Sequence, residues 1–268
     1  MESTVNHSGK GILNLEASKH KYALTRHLPS PDLRLYIKHF WIINWDLSGQ
    51  APYSQIVIPH PNVNLVFEQK YTYIHGTSKK ASSSHLEGQG WVFGIKFRPG
   101  GFYPFWQQPV SKLTSHKISF SEVFGMEAQI LEQQILANKE DTKRMELVEH
   151  FFRERLPEPD DNVELINRIV DTIIEDQRIT RVEDLVSRFG IHMRTMQRLF
   201  SRYVGVSPKW VIQRHRLHDA AEQIEKGQLL EWSKLSVELG YYDQAHFIKS
   251  FKAIIGKSPE EYVRKLKP

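Results

Sequence analysis

Cysteine is absent from all 268 residues, which excludes disulfides, thiolate zinc sites, thiol redox sensing and any cysteine nucleophile. Long hydrophobic runs are missing too. The longest obvious one, Phe40 to Ile43, is far short of the ~20 apolar residues that a spanning helix needs, and no charged-then-apolar leader is visible at Met1. No membrane partner and a cytoplasmic location are the expectation. There is no Gly-x-Ser-x-Gly elbow, no phosphate-cradling Gly loop and no His-Glu-x-x-His, so the common hydrolase, nucleotide and metalloprotease signatures are lacking. Neither a catalytic residue nor a cofactor is expected. A Ser/His/Asp triad, scattered in sequence, leaves no spacing to read, and an enzyme or metal-dependent small-molecule binder built on the N-terminal half is the alternative function.

One more absence is local. Between Leu185 and His218 there is no Asp or Glu, while Arg188, Arg194, Arg198, Arg202, Lys209, Arg214 and Arg216 all fall there. The whole chain carries a formal charge of +5 and a pI near 9.2, which suits a polyanionic partner but argues about association, not fold. From Pro157 onward Lys and Arg number 18 against 17 Asp and Glu, so the charge of this half is patterned, not excessive.

The same region contains a repeat. Leu185 to Pro208 aligns with Leu235 to Pro259, pairing Gly190 with Gly240, Phe200 with Phe251, Gly205 with Gly256 and Ser207–Pro208 with Ser258–Pro259. A unit this short cannot bury a core alone, so two related supersecondary units are implied. In the first, Val182, Leu185, Val186 and Phe189 fall at helical spacing and Gly190 stops that helix. A second helix begins near His192, burying Met196, Leu199, Phe200 and Tyr203. Its other face carries Arg194, Thr195, Gln197, Arg198 and Arg202. Arg can bond guanine and Gln adenine in bidentate fashion, and flanking cations meet phosphates. A solvated basic face explains one such helix as well; duplication in a helix-turn-helix arrangement favours DNA.

The stretches MQRLFSRYVGVSPKWVIQRHRLHDA and LGYYDQAHFIKSFKAIIGKSPEEYVRK resemble the AraC/XylS-type bacterial transcription regulators, over roughly Asn162 to Lys265. The resemblance implies two helix-turn-helix units joined by a long helix. It places the first DNA-reading face on Arg194, Thr195, Gln197 and Arg198, and the second on Gln244, Ala245, His246 and Lys249. It further implies promoter double-stranded DNA as partner, with a small-molecule effector, RNA polymerase and a second copy of the chain as candidate partners. His192 stands where the family carries a capping Ser, and Val186 and Ser236 where it carries Ala. Lys249 replaces a more usual Arg and lacks its planar fork, so the second unit is expected to specify sequence less sharply.

Ahead of this region the pattern is β-rich. Runs at Leu33–Trp45, Ser54–Ile58, Val63–Phe67, Tyr71–His75 and Trp91–Phe97 are interrupted by turn residues, among them Pro59, Pro61, Gly76, the Ser82–Ser84 cluster, Gly88 and Gly90, which suggests a small barrel or sandwich. PHPNVNLVF and FGIKFRPGGFYPFW look like the N-terminal domain of a subgroup of the same regulators, with no ligand motif to transfer. His39, His60, His75 and His85 lack tight metal-ligand spacing and read as surface or satisfied core histidines, not a metal site. Arg98-Pro99-Gly100-Gly101 reads as a turn; its functional alternative is a pocket rim where Arg98 receives an anionic effector. Met1 to Gly11 reads as a loose arm.

From Ser119 to Leu156 two amphipathic helical segments follow, to pack on the barrel or form a dimer face. Pro157-Glu158-Pro159-Asp160-Asp161 is the linker, and Asp161 with Glu164 resembles a capping box opening the next helix. Ser207–Pro208 starts the connecting helix, expected to end at Gly227. About 19 residues make a rod of roughly 28 Å, enough to set two readers about one DNA turn apart. The architecture is therefore α+β in two domains: residues 1–157 a β-rich, barrel-like sensing or dimerisation domain with accessory helices, residues 158–268 an all-α DNA-binding domain with two helix-turn-helix units. The function is a sequence-specific transcription regulator, activator or repressor.

Overall fold

The computed structural model describes residues 20–69, 71–226 and 231–266. The arm expected over Met1 to Gly11 and the helix stop at Gly227 lie outside the described residues. Eight antiparallel strands come first: β1 (Ala23–His27), β2 (Ile37–Asp46), β3 (Tyr53–Val57), β4 (Asn64–Glu68), β5 (Thr72–His75), β6 (Ser82–Leu86), β7 (Gln89–Phe97) and β8 (Lys117–Ser119). Six form one sheet in the order β1-β2-β7-β4-β5-β8, and β3 pairs with β6 in a second. Among the described residues the sheets are open and do not close into a barrel.

Alternation of side chains places the strands. In β7, Phe93, Ile95 and Phe97 are buried on one face, and Val92, Gly94 and Lys96 point to the other, as a two-residue period requires. The buried face is completed by Phe40, Ile42, Leu65, Phe67 and Ile74 and covered by two helices, α2 (Phe120–Ala137) and α3 (Asp141–Arg153), which follow the short α1 (Tyr103–Trp106). These helices contribute Phe120, Leu131, Ile135, Val148, Phe151 and Phe152 to the same core. The accessory helices therefore pack on the sheet, and α2 bends at Gly125, whose φ of 67° is non-helical. Ser82 to Ser84, expected as a turn, is strand β6: its serines are exposed while their backbone pairs with β3, so the pairing is a backbone event without a hydrophobic signature.

The C-terminal helices are α4 (Asp161–Glu175), α5 (Val182–Phe189), α6 (Met193–Tyr203), α7 (Pro208–Glu225), α8 (Trp232–Glu238), α9 (Gln244–Ile255) and α10 (Pro259–Leu266). Helix α4 is capped one residue earlier than expected, by Asp160, whose carboxylate accepts from Asn162 N at 3.0 Å. One buried cluster runs from Phe40 and Phe97 through Ile166, Leu185 and Phe200 to Ile212, so the first helix-turn-helix unit shares its core with the β-rich part. A second cluster, Leu217, Ile224, Phe247, Phe251 and Tyr262 among others, holds the second unit and reaches Ile58 of the N-terminal half.

Candidate nucleic-acid interface

Helix α5 opens where Asp184 accepts from the Thr180 and Arg181 backbone N–H groups, and it ends at Gly190 in the left-handed region, φ 63°. Glycine takes that conformation without the clash a Cβ makes. The next helix, α6, buries Met196, Phe200 and Tyr203; burying a Phe-sized side chain stabilises by ~1.5–3 kcal/mol, so this face fixes the helix rotation. Arg194, Gln197 and Arg198 are then exposed and Thr195 half-buried. Their side chains make no hydrogen bond or ion pair among the described residues. His192 supplies no side-chain cap to α6.

The second unit repeats the plan with a better start. Asp243 caps α9 by accepting from His246 N at 2.7 Å, and Phe247, Phe251, Ile254 and Ile255 are buried. Gln244, Ala245, His246 and Lys249 are exposed, with the His246 ring set edge-on to Tyr241 at 5.2 Å. Between the units runs α7, capped by Ser207 with Pro208 at its first turn. Its 18 residues span about 27 Å at ~1.5 Å per residue.

Arg202 differs from the other candidate DNA-contacting residues. Its Nε donates to the Tyr103 hydroxyl and its guanidinium lies 4.7 Å over that ring. Tyr203 packs on Tyr103 at 4.4 Å and donates to Asp160; burial first, and then the bond to this carboxylate and its charge, push the Tyr203 phenol well up. The turn after α6 is held as well. Thr77 Oγ1 donates to Val204 O at 3.2 Å and Thr114 Oγ1 to Gly205 O. A Cβ on Gly205 would stand 2.9 Å from the Val110 carbonyl oxygen. The second unit meets the same half of the chain at the end of α9 and in the turn after it: Ala81 N donates to Ala253 O at 2.8 Å, and a Cβ on Gly256 would stand 3.1 Å from Ile56. Thus the two glycines paired by the repeat both press against the β-rich part.

A third contact lies midway along α7. Arg214, 1% exposed, donates from Nε to Pro59 O at 2.8 Å and from Nη2 to His60 Nε2 at 3.1 Å, with Nη1 3.2 Å from His215 Nδ1. Burial pushes this guanidinium down to about 10. Both imidazoles are held well below their ordinary value, first by burial and then by Arg214. They face Arg214 as neutral acceptors. Sequence reasoning has no signal for this contact, because a buried Arg on a basic helix looks like a phosphate ligand.

Elsewhere the sequence candidates separate. Arg98 pairs with Asp171 of α4 at 2.5 Å and is not among the residues that line the cleft of the β-rich part. His85 sits 3.3 Å from Ser54 Oγ, His60 serves Arg214, and His39 and His75 line that cleft. Among the described residues the imidazole and carboxylate groups close enough to share a cation are His218, Asp219 and Glu222 of α7, where Asp219 already pairs with Arg216 at 2.9 Å.

Residues 185–265 match the model of a helix-turn-helix domain family, and residues 25–119 that of a domain family of unknown function. An uncharacterized HTH-type transcriptional regulator of Haemophilus influenzae is 27% identical over 94 residues, a match spanning 35% of this chain and 31% of that protein. Among solved structures, an apo form of ToxT from Vibrio cholerae, carrying one lysine-to-alanine substitution, aligns over 85% of this chain and 98% of its own, at 15% identity and a TM-score of 0.34. Another crystal form of ToxT aligns over 92% and 99%, at 12% identity and a TM-score of 0.35. With two units of one plan joined by α7, each presenting an exposed polar helix face, the C-terminal part of this chain is a double helix-turn-helix domain, similar to that of the AraC/XylS-type regulators.

Proposed function

We propose that the chain is a sequence-specific DNA-binding transcription regulator that sets α6 and α9 into successive major-groove segments of a promoter. The observation that carries this reading is the pair of reader faces. Arg194, Gln197, Arg198, Gln244, His246 and Lys249 are exposed on matching helices, and among the described residues their side chains have no hydrogen bond or ion pair to break before meeting DNA. Arg194, Thr195, Gln197 and Arg198 are the base-edge residues of the first reader, and Gln244, Ala245, His246 and Lys249 form the second face; Arg202 joins them once released from Tyr103. The β-rich part is the regulatory half, and the cleft of about 400 Å³ within it is where a small-molecule effector binds. Self-association and contact with RNA polymerase belong to the same proposal. Sedimentation of the full chain with and without DNA reads its stoichiometry.

Selection of bound fragments from random DNA, followed by anisotropy titrations over a salt series, tests the reading. A defined site is expected, with affinity falling steeply as salt rises. Arg194→Ala combined with Arg198→Ala is expected to abolish discrimination between that site and scrambled DNA. Retained discrimination in the folded double variant rejects the first reader face.

A further inference from the structure

The turns of the two helix-turn-helix units differ by one residue, and backbone bonds on either side identify it. On the near side Ile191 N donates to Val186 O at 3.3 Å and Tyr241 N to Ser236 O at 2.9 Å, so Tyr241 matches Ile191. On the far side the carbonyls of the cap residues His192 and Asp243 accept from Met196 N at 3.0 Å and from Phe247 N at 3.1 Å, so Asp243 matches His192. Tyr242, between them, has no counterpart in the first unit. Tyr241 turns inward, is buried and packs on Phe247 at 5.5 Å. Tyr242 faces out. It is 94% exposed, the most exposed large apolar side chain among the described residues, and it makes no hydrogen bond or ring contact with them. A tyrosine can bury ~150–250 Å², and almost none of that area serves this fold. The same register sets Ala245 at the place of Arg194 and Ile248 at the place of Gln197. Ala245 carries no polar side-chain atom, and Ile248 packs on the core of the second unit. The second face has thus lost two hydrogen-bonding groups and gained one exposed aromatic at its leading edge.

We infer that Tyr242 is a specificity-determining residue of the second unit, its ring packing on the 5-methyl group of a thymine in the major-groove segment that α9 enters. The inference rests on the DNA-binding reading above and names what the second unit selects. In a helix-turn-helix the first residues of the second helix approach the base edges. Tyr242 directly precedes Asp243, the cap of that helix, and Gln244 and Ala245 follow it, all of them exposed. The apolar group that the major groove offers is the thymine methyl. It asks for no hydrogen bond, so it suits an aromatic body on a face where alanine stands in the place of Arg194. A phosphate asks instead for a donor or a cation and is the same at every base pair, so a phosphate contact leaves the ring unused.

The test uses the full chain and its selected DNA site, with each thymine replaced in turn by deoxyuridine, which lacks the methyl and keeps the base pair. At one thymine at least, the unaltered protein is expected to lose about three- to fivefold in affinity, the worth of one buried methyl. Tyr242→Ala is expected to bind the thymine site at least as weakly as the unaltered protein binds that uracil site, and to be indifferent to the replacement. Tyr242→Phe is expected to keep the preference. Both variants are expected to fold, since the side chain holds nothing, and circular dichroism checks this. A selected site without thymine, tolerance of uracil at every position, or a sensitivity that survives Tyr242→Ala overturns the inference. So does a loss on Tyr242→Ala that is equal for thymine and uracil sites, which marks a backbone contact, and so does no loss at all, which gives the exposed ring to a partner other than DNA. The two readings stay separable. A defined site whose uracil sensitivity does not depend on Tyr242 removes only the thymine contact, whereas selection that yields no sequence preference removes the regulator as well.

Discussion

Arg198 and Lys249 occupy matching places on the two readers, and both are exposed, but their chemistry differs. A guanidinium fork can hold two acceptors of one guanine, whereas an ammonium is a point charge. Arg198→Ala is therefore expected to lose about 1–3 kcal/mol on the preferred site and to relax preference at one base pair. Lys249→Ala is expected to weaken binding across many sequences and to flatten the salt slope by about one phosphate contact. Anisotropy on the selected site, single-base variants and a salt series measures both; the opposite assignment of effects reverses the roles of the readers. The histidines around Arg214 give a second prediction at this scale. His60 and His215 have folded values lowered from 6.5, so the unfolded chain takes up protons first as pH falls. Their contribution to stability is complete above about pH 6.5 and is lost below it. Urea midpoints should fall between about pH 7 and 5.5, and His60→Gln, which keeps an acceptor for Arg214, should flatten that fall. The exposed face proposed to read DNA is legible in the sequence because a polar stripe opposite the buried Met196 and Phe200 has a period.

At the scale of elements, helices are legible and short strands are not. Helices α5, α6, α7 and α9 each show an apolar stripe and a stop or start residue, and Gly190, Ser207 and Pro208 act where their chemistry places them. Strands β1, β6 and β8 escape notice: Ser82 to Leu86 offers one buried side chain and Lys117 to Ser119 none, so their pairing is decided by neighbours distant in sequence. The cap of α4 shows a finer limit, since Asp160 and Asp161 are chemically equivalent and only the backbone geometry chooses between them. The two readers differ in a testable way at their first turns. Asp243 caps α9 through His246 N, whereas the side chain of His192 caps nothing. Restoring a hydroxyl with His192→Ser is expected to stabilise the chain by about 1 kcal/mol, and Asp243→Ala to destabilise it by a similar amount. Urea denaturation read by circular dichroism measures both. A neutral His192→Ser shows that the turn before α6 finds its partner elsewhere.

For the whole molecule, the break between α3 and α4 at Pro157 and Pro159 is visible in the sequence, but the continuity of packing across it is not, because contacts such as Arg98 with Asp171 and Asn167 Nδ2 with Leu35 O, at 3.0 Å, join residues with no local relation. The repeat acquires a second meaning at this scale. Gly205 and Gly256, both at φ 88°, close the turns after the two readers, and both turns are seated on the β-rich part. Three glycines then form a graded series. A Cβ at Gly190 meets nothing within 4 Å, so Gly190→Ala carries only the left-handed strain, about 1–2 kcal/mol. At Gly256 the same strain is joined by a contact with the Ile56 side chain, which can yield. At Gly205 it is joined by the backbone carbonyl of Val110, which cannot. The expected order of destabilisation is Gly205→Ala, then Gly256→Ala, then Gly190→Ala. Gly205→Ala should also loosen the seat of α6 on Tyr103, Thr77 and Thr114, exposing the segment Pro157–Pro159 between α3 and α4 to faster proteolysis and changing affinity for the selected DNA site more than Gly190→Ala does. Equal effects of Gly190→Ala and Gly205→Ala on stability, cleavage and DNA affinity show that the turn after α6 is not seated on the β-rich part in solution.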